Sequence, residues 1–403
     1  MNSIFFQNRL WLFLFLILSS SCDDDVSWYK KNGPLDVVNL NDPYRGLKNY
    51  SYSITTRELN TILKSTNESY LQQWVKYDVS ILHFTYTTTF KDSIITASGA
   101  IAIPVGVQNP SIMVFHHGTM FYDGETPSQY KKPTILGIFA SAGYITLIPD
   151  YIGYGTSKGI LHPYHIYQPT VNASIDMILQ AKEFLNTNAI AFKDDALFLA
   201  GFSEGGYAAF AVQKEIEEHP EYHLTVRASA PGAGAYDVRY QFEITTNNDI
   251  YDDTEYIGLA LASYNEYYFR KSLDQFFNPP YAAEMLTLLN GEHTEEYIHD
   301  QLPNKLSILL KPTFLNSFKN DPTSEFNLAL AENSLNNFLL KTPTRFIQGT
   351  QDNIVPFAVA KKTYDDLIAL GVDPDILKIV PFDGDHDFNK YIGLTLAWFG
   401  SFK

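Results

Sequence analysis

Short apolar segments alternate with amphipathic segments along most of this chain, and this alternation is the feature that most restricts its fold. β-Branched and aromatic residues predict strands at 79–90, 94–103, 112–115, 144–148, 196–200, 225–230, 344–347 and 376–380. Apolar residues at three- and four-residue spacing predict helices at 171–186, 207–218 and 357–370. Such a sequence predicts an α/β fold, with a mostly parallel central sheet and helices on both of its faces. The first two strands are joined by a polar turn and predict an antiparallel edge.

The alternation stops between residues 232 and 341, where the sequence becomes helical in character. Seven aromatic residues fall within eighteen positions there: Tyr264, Tyr267, Tyr268, Phe269, Phe276, Phe277 and Tyr281. We predict a helical cap at 232–341, inserted after the sixth predicted strand into a core formed by 51–231 and 342–403. The alternative is an ordinary helical subdomain whose aromatic rings fill its own small core.

The first fifty residues differ from the rest. Arg9 is followed by an apolar run at 10–18, then by Ser19-Ser20-Ser21-Cys22 and an acidic triplet. This order predicts a signal peptide at 1–21 and a polar tether at 22–50. The serine-cysteine stretch resembles a bacterial lipobox, and the acidic triplet is similar to the export signal of Bacteroidetes-type lipoproteins. The resemblance implies lipidation of Cys22 and a place on the outer membrane, facing the cell surface. An uncleaved membrane anchor is the alternative, although the apolar run is short for a bilayer.

Composition excludes several classes of partner. The 403 residues contain 29 Lys plus Arg against 45 Asp plus Glu, a formal net charge of −16. An acidic chain without a basic cluster is unsuited to binding nucleic acid. It also offers no basic surface for anionic lipids, so any membrane contact would come from the lipid anchor alone. The single cysteine allows no internal disulfide.

One glycine-rich turn stands between a predicted strand and a predicted helix. The strand at 196–200 leads into Gly201-Phe202-Ser203-Glu204-Gly205, and a helix follows. In this context the G-x-S-x-G pattern indicates a nucleophile elbow, because a reactive serine must project from a tight turn whose neighbours lack bulk. We predict that Ser203 is a nucleophile.

A serine nucleophile needs a base, and the base needs a carboxylate to orient it. In α/β-hydrolases the acid and then the histidine follow the serine along the chain. Asp352 follows the strand at 344–347, and His386 follows the strand at 376–380. Both would lie at the carboxyl edge of the sheet, where ligands bind in such folds. Asp150 also ends a strand, but it precedes Ser203, so we predict a structural role for it.

The negative oxygen that forms during acyl transfer needs backbone donors. One predicted donor is the N–H of Glu204, directly after the nucleophile. The other should come from the loop His116-His117-Gly118-Thr119, and the sequence leaves Gly118 and Thr119 as alternatives.

Two metal-binding interpretations fail on spacing. Asp383-Gly384-Asp385-His386-Asp387 resembles the start of a calcium loop, but position twelve is Leu394 rather than an acidic residue. No zinc spacing unites His116, His117, His162 and His165, and we predict that these histidines are packed beneath the loop. We therefore predict neither a metal nor a cofactor.

Taken together, the motifs resemble those of α/β-hydrolase-fold serine esterases, within the secretory-lipase-like group, over about residues 55 to 400. They are Phe84-Thr85-Tyr86, 98–104, 116–119, 149–155, the elbow, Gly349-Thr350-Gln351-Asp352 and Gly384-Asp385-His386. The resemblance implies hydrolysis of small-molecule or lipid carboxylic esters through an acyl-enzyme. A serine peptidase of the same fold and a catalytically silent surface binding protein remain alternatives. The acyl group, the alcohol and the oligomeric state stay open.

Overall fold

A computed structural model of the protein describes residues 42–130 and 137–402. The predicted signal peptide at 1–21, the lipidation site Cys22 and most of the predicted tether lie outside these residues. The end of the tether, residues 42–50, lies against the core. There the hydroxyl of Ser80 donates a hydrogen bond to the buried carboxylate of Asp42 at 2.7 Å, and Tyr44 and Leu47 pack on apolar residues.

A nine-stranded sheet organises the described chain. The strands are β1 Tyr50–Ile54, β2 Val79–Phe90, β3 Ser93–Pro104, β4 Ser111–His116, β5 Ile145–Pro149, β6 Lys193–Phe202, β7 Val226–Gly232, β8 Thr344–Gly349 and β9 Leu377–Phe382. They are ordered β1-β2-β3-β5-β4-β6-β7-β8-β9. The pairs β1–β2, β2–β3 and β3–β5 are antiparallel, whereas β5–β4 and all the pairs beyond it are parallel. The prediction of a mostly parallel sheet with an antiparallel edge is confirmed.

The edge strand β1 was not predicted. Its sequence, Tyr-Ser-Tyr-Ser-Ile, follows a polar segment, and four of its five residues are only partly buried. Because β1 precedes all the predicted strands, each predicted strand has a number higher by one in the structure. The helical segment at 232–341 follows β7, which is the strand predicted as the sixth.

Helices cover both faces of the sheet. In chain order they are α1 Thr56–Ser65, α2 Gly137–Ser141, α3 Tyr167–Thr187, α4 Glu204–Glu218, α5 Val238–Asn247, α6 Thr254–Tyr264, α7 Tyr281–Leu288, α8 Glu295–Gln301, α9 Leu306–Leu309, α10 Pro312–Asn320, α11 Glu325–Glu332, α12 Phe357–Leu370 and α13 Phe388–Phe399. No helix in the described part of the chain is both long enough and apolar enough to cross a bilayer.

Buried residues alternate between the two faces along the central strands, because successive side chains of a strand point to opposite sides. In β4, Ile112 and Val114 belong to one apolar cluster, and Met113 and Phe115 belong to the other. Layers on both sides therefore bury the sheet, as expected for parallel strands with apolar sequences.

The helices from α5 to α11 belong to the segment at 232–341 and pack on one side of this sandwich. Their buried residues join the same apolar cluster as those of α3 and α4. Polar contacts reinforce the packing: the hydroxyl of Tyr264 donates to the carbonyl of His165 at 2.9 Å, and the hydroxyl of Tyr207 donates to the carbonyl of Asn333 at 2.9 Å. The segment thus lies against the core.

Candidate active site

Ser203 occupies the turn between β6 and α4 in a backbone conformation that residues other than glycine rarely adopt. Its φ is 61° and its ψ is −123°. Holding a non-glycine residue in such a region costs about 1–3 kcal/mol, and such strain is concentrated at functional sites. The turn is fixed by the N–H of Ser203, which donates to the carbonyl of Gly232 at 2.9 Å.

The glycines of this turn are required by close backbone contacts. A Cβ at Gly205 would lie 1.9 Å from the carbonyl oxygen of His116, and a Cβ at Gly201 would lie 2.0 Å from the carbonyl oxygen of Gly205. A Cβ at Gly206 would lie 2.2 Å from the carbonyl oxygen of Gly232. The neighbouring atoms are backbone and cannot rotate away. Only glycine therefore lets strand and helix come this close.

Asp352 lies in the loop after β8, and four hydrogen bonds hold its buried carboxylate. The N–H groups of Ile354 and Val355 donate to Oδ1 at 3.0 and 2.8 Å. The amide of Gln348 donates to Oδ2 at 3.0 Å. The fourth donor is Nδ1 of His386, 2.7 Å from the same oxygen.

His386 lies in the loop after β9, one strand further along the edge. Since a carboxylate only accepts hydrogen bonds, the contact with Asp352 places a proton on Nδ1 and leaves Nε2 of a neutral ring as an acceptor. The centre of the imidazole is 4.5 Å from that of the Phe202 ring, next to Ser203 in the chain. The structure thus brings His386 and Asp352 together beside the turn. Within the described residues, the Ser203 hydroxyl has no hydrogen bond to His386.

The loop after β4 passes directly over the turn. A Cβ at Gly118 would lie 3.5 Å from both the carbonyl oxygen of Phe202 and the Cβ of Ser203, so the glycine faces the serine. The hydroxyl of Thr119 donates a hydrogen bond to that of Tyr164 at 3.1 Å. Glu204 is the first residue of α4, and the first N–H groups of a helix have no carbonyl partner within it.

A buried polar pair beneath this loop was not predicted. The carboxylate of Glu204 lies 2.5 Å from Nε2 of His162, and each side chain is only 5% exposed. Burial lowers the pKa of His162, but the Glu204 carboxylate outweighs it, so the pKa is raised. Burial likewise opposes ionisation of Glu204, but His162 outweighs it and the pKa of Glu204 is lowered. Both directions favour the ionic form of the pair.

The other predicted histidines engage separate groups. His116 has its ring nitrogens 3.3 Å from the carbonyl oxygen of Ala200 and 3.0 Å from the hydroxyl of Ser174. Nδ1 of His117 lies 2.7 Å from the carbonyl oxygen of Gly118. Burial lowers the pKa of His116 to about 3 and that of His165 to about 4, so both rings are neutral.

Asp150 directly follows β5 and is completely buried. Its carboxylate accepts hydrogen bonds from the hydroxyl of Ser98 at 2.6 Å and from the N–H of Ser128 at 2.9 Å. Burial raises the pKa of Asp150 to about 6. These contacts tie β3 and β5 to the segment that follows β4.

A cavity adjoins the turn. Its volume is about 590 Å³ when the open space at its entrance is included. Its walls are mainly apolar and aromatic and come from the turn, from α5 and α6, and from the loop after β8. Representative lining residues are Ser203, Val238, Phe242, Tyr251, Ile257 and Val355.

One group of possible metal ligands occurs elsewhere in the described residues. Oxygen or nitrogen atoms of Asp253, Glu255 and His299 all lie within 4.8 Å of one another. Nδ1 of His299 is 3.3 Å from both carboxylate oxygens of Glu255, an ion-pair distance. This group lies in the segment at 232–341, and no sequence motif singled it out.

A mostly parallel sheet with a serine turn at its centre, and with acidic and histidine loops after two later strands, defines the α/β-hydrolase fold. A family model described as secretory lipase matches residues 127–378, more than half of the chain. The chain belongs to the secretory lipase family, and it is a carboxylic ester hydrolase. Membership of a secretory family suggests export.

Solved structures show the same fold. A putative hydrolase from Legionella pneumophila is 26% identical, with 88% of this chain and 96% of that chain covered and a TM-score of 0.80. The rice cell wall degrading esterase LipA from Xanthomonas oryzae is 25% identical, with 87% and 93% covered and a TM-score of 0.75. Candida antarctica lipase A in its closed state, 15% identical with 82% and 78% covered and a TM-score of 0.61, shows the fold alone. No curated protein matches this chain.

Proposed function

We propose that the protein hydrolyses carboxylic esters through an acyl-enzyme formed on Ser203. The hydroxyl oxygen attacks the ester carbonyl carbon, and its proton passes to Nε2 of His386. The alcohol leaves with that proton, and the acyl group stays on the serine. A water molecule then attacks the acyl-enzyme with His386 again as the base, which releases the acid and restores the hydroxyl.

The observation that carries this proposal is the 2.7 Å hydrogen bond between Nδ1 of His386 and the carboxylate of Asp352 beside the strained serine. It supports a base whose free nitrogen can accept the hydroxyl proton. Asp352 orients the ring and stabilises the imidazolium that forms. Because its other donors are two backbone N–H groups and an amide, the carboxylate is held rigidly.

We propose that the oxyanion is bound by backbone N–H groups from two elements. The first is that of Glu204 at the start of α4, where the helix dipole also favours negative charge. The second comes from the loop after β4. The approach of Gly118 to the Ser203 side chain favours Gly118 over Thr119 as this donor.

We propose that residues 232–341 act as a cap on a core formed by 51–231 and 342–403. Support comes from α5 and α6, which supply walls of the cavity beside Ser203. Its apolar and aromatic walls suit the acyl chain of an ester.

A substrate panel tests the proposed reaction. We expect turnover of p-nitrophenyl esters graded from acetyl to long-chain acyl groups, and we expect far slower turnover of matched aminoacyl amides, since an amide has a poorer leaving group. Faster amide than ester turnover would favour a serine peptidase. No turnover, together with no labelling of folded protein by a fluorophosphonate, would favour a silent binding protein.

We propose further that the mature protein is anchored to the outer membrane by lipid on Cys22 and faces the cell surface. The lipobox-like stretch and the acidic triplet after it support this proposal. In cells fed a labelled fatty acid, the wild-type protein should carry the label and fractionate with membranes. The Cys22→Ser variant should lose both properties. Label that persists in this variant would refute lipidation at Cys22.

A further inference from the structure

The contacts of the buried pair Glu204 and His162 show how many protons the two side chains hold between them. Nδ1 of His162 lies 2.8 Å from the carbonyl oxygen of Ile152, which can only accept, so Nδ1 carries a proton. Nε2 lies 2.5 Å from Glu204, and that contact needs one further proton between the two atoms. The raised pKa of His162 and the lowered pKa of Glu204 favour this proton on His162, so the two form an ion pair with no net charge.

The pair joins three elements at the catalytic turn. Glu204 begins α4 and directly follows Ser203. His162 belongs to the loop between β5 and α3, and its carbonyl accepts a hydrogen bond at 2.5 Å from the hydroxyl of Ser263 on α6. The pair therefore contacts the proposed cap through Ser263, and one of its members carries the proposed oxyanion donor.

The groups that face the pair are neutral. Burial lowers the pKa of both His117 and His165, which approach from the loop after β4 and from the loop before α3. Tyr151, Tyr154 and Tyr164 surround the His162 ring, with ring centres at 5.8, 4.9 and 6.2 Å, and burial raises the pKa of all three. Compensation of the Glu204 charge therefore rests on the imidazolium of His162.

We propose that Glu204 and His162 are positioning residues that keep the start of α4 electrically neutral while the oxyanion forms, and that proton loss from His162 sets the alkaline limit of activity. This inference rests on the proposed function, because it assumes that the N–H of Glu204 binds the oxyanion.

The direction of the effect follows from charge. The pKa of His162 is raised by its partner, so the ion pair is intact below that pKa and is lost as pH rises through it. Above it a bare carboxylate remains beside the helix terminus in a site of low dielectric. A negative charge there opposes the negative oxyanion and weakens transition-state binding, so kcat falls.

The test compares pH profiles of kcat and KM for the wild type and the Glu204→Gln variant. A glutamine amide can donate to Nε2 of a neutral His162, so this variant carries no charge at the pair at alkaline pH. We expect the kcat of the wild type to fall along its alkaline limb by about ten-fold per pH unit, which is the slope for the loss of one proton. We expect kcat of the variant to stay level there, with KM little changed. The acid limb of the profile should remain in both proteins.

The matched control is Glu215→Gln, which alters another buried glutamate of α4 that accepts from Tyr167 and Tyr222. It should keep the wild-type limb. An alkaline limb in Glu204→Gln equal to that of the wild type would overturn the inference. If the wild type and Glu204→Gln are both still labelled at Ser203 by a fluorophosphonate, equal alkaline limbs would leave the proposed function intact. Failure of the label to react at Ser203 in active wild-type protein would overturn the proposed function instead.

A measurement on the wild type covers the possibility that the variant does not fold. The ¹⁵N signals of the histidine rings can be assigned by replacing histidines one at a time, for example with His162→Gln. His162 should then carry protons on both ring nitrogens at pH 7. Its Nε2 should lose its proton in the pH range where kcat falls. A His162 ring that is neutral at pH 7 would overturn the inference.

Discussion

Replacing Ser203 with alanine is expected to reduce kcat/KM for a p-nitrophenyl ester by about 10⁴- to 10⁶-fold. The variant lacks the oxygen that forms the acyl-enzyme, and the residues on either side of it, Phe202 and Glu204, carry no hydroxyl. Some acceleration over water should remain, because the oxyanion donors and the cavity are untouched. Steady-state kinetics on purified protein measures the loss.

The control is Ser401→Ala, which removes a hydroxyl from an exposed residue just after the last helix, where it donates to the carbonyl of Trp398. It should keep wild-type activity. Fluorophosphonate labelling followed by peptide mapping should find the label on Ser203 in the wild type and no label in Ser203→Ala. Wild-type turnover by Ser203→Ala would exclude the acyl-enzyme mechanism proposed here.

Replacing Asp352 with asparagine is expected to reduce kcat by about 10⁴-fold while the protein stays folded. An asparagine amide can donate to Nδ1, which would then give up its proton to Nε2. The histidine would present an N–H to the serine and could not act as its base. The pH profile provides a second readout, since hydroxide can partly replace the missing base and the remaining activity should rise with pH.

Asp383→Asn is the matched control for this variant. Asp383 is exposed, lies three residues before His386 and accepts a hydrogen bond from the side chain of Gln351 at 2.7 Å. We expect its kcat to remain within about two-fold of the wild type, as for most surface substitutions. Equal losses in the two variants would show that neither loop tolerates a change of its aspartate, and would remove the argument for a special role of Asp352.

The sequence predicted the fold well where local patterns are strong. Continuous apolar strands and helices with regular spacing marked the parallel part of the sheet, and α12 begins and ends at the predicted residues 357 and 370. Strand β1 escaped prediction because its serines and tyrosines form a half-buried edge, where pairing with β2 rather than local preference decides the conformation.

For the candidate site, sequence reasoning identified residues that stand at strand ends within recognisable motifs. It did not identify the partnership between Glu204 and His162, because the two are 42 positions apart and neither spacing nor periodicity connects them. One signal was available: a glutamate directly after a nucleophilic serine places a charge next to the oxyanion, and a compensating cation should be sought. The proposal of Gly118 rather than Thr119 as the second donor rests on the approach of Gly118 to Ser203, which no sequence pattern indicates.

The shared apolar cluster limits how this enzyme can be simplified. Phe210 of α4 packs against Phe338, with ring centres 5.1 Å apart, and the same cluster extends to Phe242 and Leu261 in the helical segment. Deleting that segment to obtain a minimal hydrolase would expose a large apolar surface, and we would expect the shortened protein to aggregate. Engineering of new specificities is therefore better attempted by exchanging side chains within the segment than by deleting or transplanting it whole.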